Sequence, residues 1–389
     1  YFKLILTINQ KLKFMKKIKI IHILNSVGGV DVSLRLILEN CNPEEFENII
    51  IHGKHDTKSL YINKNGKPLK EYKFPIQREI SIFKDLKAIY NTIKILKIEK
   101  PNIIHAHSAK GGVIARTASL FHKIKVLHTP QAYSYLSSPK GLKRIVFLGI
   151  EKALKNFSSI LVASSTSELN RGLFEVGYKK QNTELFNNSI NPITINSEDK
   201  ISSQIPKKYI CSVGRPSFQK NIEMMIKVIK EIKKMIPEIH LVLLGVGEYS
   251  PNKNKVEELI IKYNLKDNIT LIPWIAREKI FQIISKSELY ISTARYEGLP
   301  YSIIEALALG KACIVTNCDG NRDLVKNEIN GYVVEENEIK SMANRIFELY
   351  NDNKKRKKFE LNSFDSFNLN YNIEKNIVNI ETIYKKYSN

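Results

Sequence analysis

The chain has 389 residues, with 61 Lys and Arg against 39 Asp and Glu for a formal net charge of +22, 43% hydrophobic residues and four cysteines. That apolar share supplies two cores, and Cys41, Cys211, Cys313 and Cys318 lack the paired Cys or His spacing that a zinc site needs. No run of about 18 apolar residues occurs, which excludes a spanning helix in the sequence given.

Residues 1–14 precede Met15-Lys16-Lys17-Ile18-Lys19 and read as an extension foreign to the fold. Charge interrupts their apolar residues and no small-residue cleavage site follows, so they do not read as a signal peptide; a cytoplasmic setting with reduced cysteines is expected. The first strand, Lys17–Leu24, ends at Asn25-Ser26-Val27-Gly28-Gly29 before a helical Leu34, Ile37, Leu38 spacing. Gly28 and Gly29 let backbone approach a phosphate or sugar, although such a pair is more often only a tight turn. Ile103–His107 is a short strand whose His105 and His107 share a face. A histidine among apolar residues is usually structural, but His107 stands at the strand end, where open parallel sheets bind ligands. His128 closes the next strand ahead of Thr129-Pro130-Gln131, which makes His128 and Gln131 candidates for acceptor contact.

Pro139–Phe157 places Leu142, Ile145, Val146, Gly149, Ala153, Leu154 and Phe157 on one helical stripe, with Lys140, Lys143, Arg144, Lys152 and Lys155 beside it. A packed domain helix and a basic helix resting on anionic lipid share that pattern. Charge is concentrated in the same half: residues 1–190 hold 31 Lys and Arg against 14 Asp and Glu, residues 191–389 hold 30 against 25. A coding bias toward lysine would touch both halves alike. Ser165–Glu168 fits a helix capping box, a structural role.

Polar, proline-bracketed Asn191–Pro206 separates two runs in which strands alternate with helices, the pattern of two parallel α/β domains. Beyond it, Tyr209–Val213 is an apolar strand ending in Gly214-Arg215, followed by a turn and Lys220-Asn221 at a helix start. An arginine fork and a lysine point charge suit a departing nucleoside diphosphate. His240–Leu244 breaks into Gly245-Val246-Gly247, a turn that backbone-close ligands favour but that is weak alone. Trp274 and Ile275 follow Leu271-Ile272-Pro273 and are placed to flank a nucleotide base. Leu289–Ile291 precedes the most informative stretch, Glu297-Gly298-Leu299-Pro300-Tyr301-Ser302-Ile303-Ile304-Glu305, with one carboxylate on a loop and one in a helix. The amides of about residues 299–302 have no carbonyl partners within their own helix and can hold a diphosphate at its positive end. One carboxylate can then accept sugar hydroxyls and the other ribose hydroxyls. Lys354–Lys358 reads as a solvated helix face, and Tyr371–Tyr387 has helical spacing.

The order Ser-Val-Gly214-Arg215 with Lys220-Asn221, Leu-Gly245-x-Gly247-Glu248, Glu297-Gly-Leu-Pro-x-Ser-x-x-Glu305-Ala, Gly320-Asn-Arg-Asp-Leu-Val and Asn330-Gly331-Tyr332 resembles glycosyltransferase family 4. These are retaining enzymes, here similar to the bacterial ones that build capsule, O-antigen and exopolysaccharide. The resemblance covers nearly all of the chain from about residue 17 and implies a GT-B fold, α/β, with two Rossmann-like doubly wound parallel-sheet domains facing across a cleft. It divides the chain into an acceptor domain at 15–190, a linker at 191–207, a nucleotide-sugar domain at 208–370 and a C-terminal helix at 371–389 crossing back. It implies that Arg215 and Lys220 hold the donor diphosphate, that Glu297 contacts the transferred sugar and that Glu305 binds ribose. Backbone from Gly298 through Leu299, Pro300, Tyr301 and Ser302 completes the cradle, Gly28 and Gly29 border the diphosphate, and His107 meets the sugar near its reacting carbon. At Asn187-Asn188-Ser189-Ile190 a serine replaces the family's usual glycine, which leaves the hinge geometry open.

The sequence has no Asp-x-Asp, so a metal-independent enzyme without a cofactor is expected. The implied reaction moves a hexose or N-acetylhexosamine, from an expected UDP-sugar donor, onto a polyprenyl-diphosphate-linked saccharide with retention. It is placed at the anionic inner face of the cytoplasmic membrane, with no nucleic-acid partner. A UDP-sugar 2-epimerase shares the layout but lacks the glutamate pair. A basic nucleic-acid-binding protein explains the charge but not the motif order.

Overall fold

The computed structural model describes residues 16–25, 28–57, 59–77, 79, 81–138, 140–195, 205–247 and 250–388. The extension read at 1–14 and residues 196–204 of the linker lie outside them. The described chain forms two compact units.

The first unit contains β1 (Ile18–Ile23), α1 (Gly29–Asn40), β2 (Phe46–Gly53), β3 (Lys70–Phe74), α2 (Ile82–Glu99), β4 (Ile103–His107), α3 (Ser108–Ser119), β5 (Lys125–Thr129), α4 (Leu142–Leu154), β6 (Ser159–Ala163), α5 (Thr166–Arg171, of which Leu169–Arg171 belong here), β7 (Thr183–Leu185) and a C-terminal helix, Ile373–Tyr387. Its parallel strands run in the order β3-β2-β1-β4-β5-β6-β7. Alternate strand residues serve two cores. Ile20, Ile103, Leu127 and Ile160 pack with Ile37 of α1 and with Ile377, Ile380 and Tyr384 of the C-terminal helix. Ile21, Ile104 and Val126 pack with Ala88 and Leu96 of α2 and Ile114 of α3. Coverage of both faces explains why these strands read as apolar runs rather than as alternation. The two edge strands are the polar ones: β3 exposes Lys70 and Lys73, and β7, Thr183-Glu184-Leu185, buries none of its residues; charge there discourages pairing with another chain.

The second unit contains β8 (Ile210–Val213), α6 (Ile222–Ile232), β9 (Leu241–Leu244), α7 (Lys253–Lys262), β10 (Ile269–Ile272), α8 (Arg277–Lys286), β11 (Tyr290–Ser292), α9 (Tyr301–Ala308), β12 (Cys313–Thr316), α10 (Asn321–Leu324), β13 (Gly331–Val334), α11 (Ile339–Asn351) and α12 (Asn353–Asn370). The strands are again parallel, in the order β10-β9-β8-β11-β12-β13. Burying each Ile, Leu or Met side chain of this core contributes about 1.5–3 kcal/mol before chain entropy is set against it.

The chain passes into this unit at Asn187, ahead of the 191–207 seam. Asn188 and Ile190 already contact this unit: the Asn188 side-chain amide donates to the Leu299 carbonyl at 2.9 Å, and Ile190 bridges to Asn372. Ser165–Glu168 also belong here, because the Ser167 amide and hydroxyl each donate to the Asp323 carboxylate at 3.0 Å. Ser165 Oγ accepts from the Glu168 amide at 3.1 Å, as a capping serine does.

Strand order reverses between β1 and β4 in one sheet and between β8 and β11 in the other. At such a switch point the loops leaving the two central strands part and open a crevice at the carboxyl edge. Asn25, Gly28 and the His107–Ser108 junction lie there in the first unit, and 214–221 and 293–300 in the second.

Candidate active site

In the second unit the reversal brings two sequence-predicted charges into contact. Lys220 Nζ donates to Glu297 Oε1 at 2.7 Å, and Gln219 Nε2 donates to Glu297 Oε2 at 3.1 Å. Backbone fixes the approach: Arg295 N donates to Gln219 O, and the Thr293 hydroxyl to the carbonyls of Lys220 and Asn221. Gly214 is buried because the Lys220 stem crosses it; a Cβ would lie 3.3 Å from Lys220 Cγ and Cδ. Arg215 is exposed and, among the described residues, has no hydrogen-bond or ion-pair partner. Its guanidinium is therefore available to an anion.

Pro300 caps α9, whose first-turn amides at Tyr301 and Ser302 have no acceptor within the helix. Gly298, Leu299 and Pro300 are buried, and Gly320, at φ +75°, packs so closely that a Cβ there would stand 2.6 Å from Gly298 O. Glu305 is 7% exposed and takes Arg277 Nη2 on Oε1. Burial pushes its carboxyl upward, while Arg277 and Lys220 pull it down. Trp274 is 60% exposed, with its ring against the Gly245 turn: a Cβ on Gly245, which has φ +91°, would be 3.3 Å from the indole. Gly247 lies alongside, 3.8 Å by the same measure, and Ile275 is half-buried.

In the first unit, exposed Gly28 (φ +62°) and Gly29 open α1. His107 and His128 are fully buried. His22 of β1 lies beside His105 of β4 in register, and His107 reaches the same face, so three rings meet. Their ligand atoms lie within 4.8 Å of one another, a set of donors a metal could use. Hydrogen bonds already occupy most of them. His22 Nε2 pairs with Asn48 Oδ1 at 3.0 Å and Nδ1 with His107 Nε2 at 3.1 Å, while His105 pairs with Tyr384 and Thr129. Asn48 Oδ1 can only accept, so His22 Nε2 carries a proton and its Nδ1 accepts from His107 Nε2–H. His107 Nδ1 is left as a bare acceptor. Burial holds His22 down to about 4, and His105, His107 and His128 well below the usual imidazole range, so all four are neutral at pH 7.

Buried polar atoms without partners include His107 Nδ1, His128 Nδ1 and Gln131 Nε2, which are the three sugar and acceptor candidates of this unit. Left-handed φ values at Ser108 (63°), Gln131 (52°) and Ala132 (75°) fall in the same two loops. Orphaned polar groups and strained backbone together are stable only where the fold over-determines them, and they gather at ligand sites.

Residues 195–365 match the family model Glycosyl transferases group 1. This chain carries a glycosyl transferases group 1 domain. It is also 29% identical over 290 residues to the UDP-Gal:alpha-D-GlcNAc-diphosphoundecaprenol alpha-1,3-galactosyltransferase of Escherichia coli, covering 71% of this chain and 73% of that one. Capsular polysaccharide biosynthesis glycosyltransferase CapM of Staphylococcus aureus is 27% identical over 309 residues, with 75% and 80% covered. Anabaena Alr3699/HepE, solved in complex with UDP and glucose, superposes with a TM-score of 0.75 at 16% identity, covering 95% of this chain and all of that one. The protein is a glycosyltransferase with two parallel-sheet domains of GT-B type.

Sequence reasoning missed Gln219, Asn188, Arg277, His22 and Asn48. Only His22 carried a signal, a polar residue inside an apolar strand. The others are placed by tertiary contacts that no local spacing encodes. It also left the face of α4 open. There Leu142, Ile145, Val146 and Ile150 are exposed beside Lys143 and Lys152, while Phe147, Leu148 and Leu154 turn inward. Unforeseen, α2 does the same with Ile82, Phe83, Leu86 and Tyr90 beside Lys84, Lys87 and Lys94. Both helices follow the carboxyl ends of parallel strands and pack against α3.

Proposed function

We propose that this enzyme transfers a hexose or N-acetylhexosamine from a nucleotide sugar, UDP-linked, to a polyprenyl-diphosphate-linked saccharide in the assembly of a surface polysaccharide, with retention and without a metal. The observation that carries the donor half is the Lys220–Glu297–Gln219 contact over the β8/β11 reversal, next to unpaired Arg215 and the start of α9. Cations and helix amides set around one point stabilise charge growing on a leaving diphosphate; losing one such contact costs about 2.7–4 kcal/mol of barrier. Both Glu297 oxygens are held by donors, which suits a carboxylate that orients sugar hydroxyls rather than one that attacks carbon. Attack by the acceptor hydroxyl from the leaving-group side, with the departing phosphate taking its proton, then retains configuration. His107 Nδ1, a neutral acceptor, receives a donor-sugar hydroxyl; His128 and Gln131 serve the acceptor.

The E. coli relative's diphosphoundecaprenol substrate, the Anabaena structure's UDP and the CapM relative support the finer reading. A domain match within a transferase family favours transfer over epimerisation. Among the described residues no helix is long and apolar enough to cross a membrane. The exposed apolar and basic faces of α4 and α2, in the half with the charge surplus, suit anionic lipid at the inner leaflet. Glu297→Ala and Lys220→Ala should each abolish transfer to a lipid-diphosphate saccharide while leaving the circular dichroism melt in place. Wild-type turnover in both variants would refute the assignment.

A further inference from the structure

Arg277 opens α8, three residues beyond Trp274, and its guanidinium holds Glu305 Oε1 at 2.5 Å. Glu305 Oε2 has no partner among the described residues. The carboxylate is thus fixed by one oxygen and open by the other, in a position nine-tenths covered by protein. Arg277 itself is two-fifths exposed, so the pair faces outward on the arginine side. The other cation acting on Glu305 is Lys220, which is already paired with Glu297. No charged group of α10 or α12, which also pack on α9, is bonded to Glu305 among the described residues.

We propose that Arg277 is the positioning residue of the donor site, holding Glu305 ionised and oriented so that its free oxygen accepts the ribose diol of the nucleotide. This rests on the reading of Glu305 as the ribose contact. The charge-assisted hydrogen bond from Arg277 Nη2 to Oε1 restrains the carboxylate and leaves the lone pairs of Oε2 able to accept from a ligand. Without the arginine, a carboxyl so poorly hydrated takes up a proton more readily, and a protonated acid accepts hydrogen bonds less well. Lys at 277 keeps the charge but loses the planar fork, and should act as a partial substitute.

The test is UDP binding, against 2′,3′-dideoxy-UDP, by calorimetry between pH 5.5 and 8.5 for the wild type, Arg277→Ala and Arg277→Lys. The wild type should bind UDP at least tenfold more tightly than the dideoxy analogue, by a ratio that stays constant with pH because the terminal phosphate, with a second pKa of about 6, titrates alike in both nucleotides. Arg277→Ala should lose most of that preference, and what remains of it should shrink further as the pH drops, while Arg277→Lys retains part of it. An Arg277→Ala protein that weakens both nucleotides equally at every pH would overturn the role of Arg277 and leave the ribose contact standing. A wild type that does not distinguish the two nucleotides would overturn the ribose contact itself, and the proposal with it.

Discussion

Gly320 has no freedom to carry a side chain. Its φ of +75° is a left-handed conformation, and the atom a Cβ would strike is a backbone oxygen, Gly298 O, which cannot swing aside. Gly320→Ala should cost about 1–3 kcal/mol in a denaturant melt and should also weaken nucleotide binding, because the displaced turn is the one that starts α9. His22→Leu removes the partner of both Asn48 and His107. Each orphaned group costs about 1–3 kcal/mol, and a free His107 ring should lower kcat more than it alters the donor KM. Kinetics normalised to the fraction of protein that binds UDP separates that from a purely structural loss, which would reduce the active fraction and leave kcat per active site unchanged. At this scale the sequence singled out Glu297, Lys220 and Arg215, because charge beside glycine at a strand end is a local pattern, and the structure brings the first two into contact. Arg277 and Asn48 were invisible, since their partners lie 28 and 26 positions away across separate elements.

The elements of the first unit carry an acid sensitivity. Four histidines on β1, β4 and β5 are neutral and buried. Their folded pKa values lie below the unfolded value of about 6.5, so the unfolded chain binds more protons and stability rises with pH. Going the other way, stability is lost as the pH falls from about 6.5 toward 4, and His22 alone accounts for on the order of 3 kcal/mol. Calorimetric melting should show Tm falling steeply across that window; a constant Tm from pH 7 to 4.5 would contradict the buried, neutral cluster. Helix α4 makes the opposite kind of prediction. Replacing Leu142, Ile145 and Ile150 with Gln should leave Tm within a few degrees, because these side chains are exposed, and should reduce flotation with anionic vesicles. The amphipathic stripe was legible beforehand but its orientation was not: periodicity gives a stripe, and only packing says which side is covered.

At the scale of the whole molecule, alternating apolar runs and Gly-containing turns made two parallel α/β sheets readable from the chain alone. The passage between units at Asn187 was not readable, because the contacts made there, such as that of Asn188 with the Leu299 carbonyl, join residues more than a hundred positions apart. The charge surplus of residues 1–190 predicts that vesicle binding weakens between 0.05 and about 0.5 M salt, as screening shortens the reach of surface lysines. Flotation independent of salt would place the membrane contact elsewhere. The central claim is that protein cations, not a metal, hold the leaving diphosphate. Calorimetric titration of UDP into EDTA-treated protein tests it most directly. The account predicts saturable binding in the chelator that weakens at least a hundredfold in the Arg215→Ala, Lys220→Ala double variant; binding that requires added magnesium, or that survives in the double variant, would contradict it.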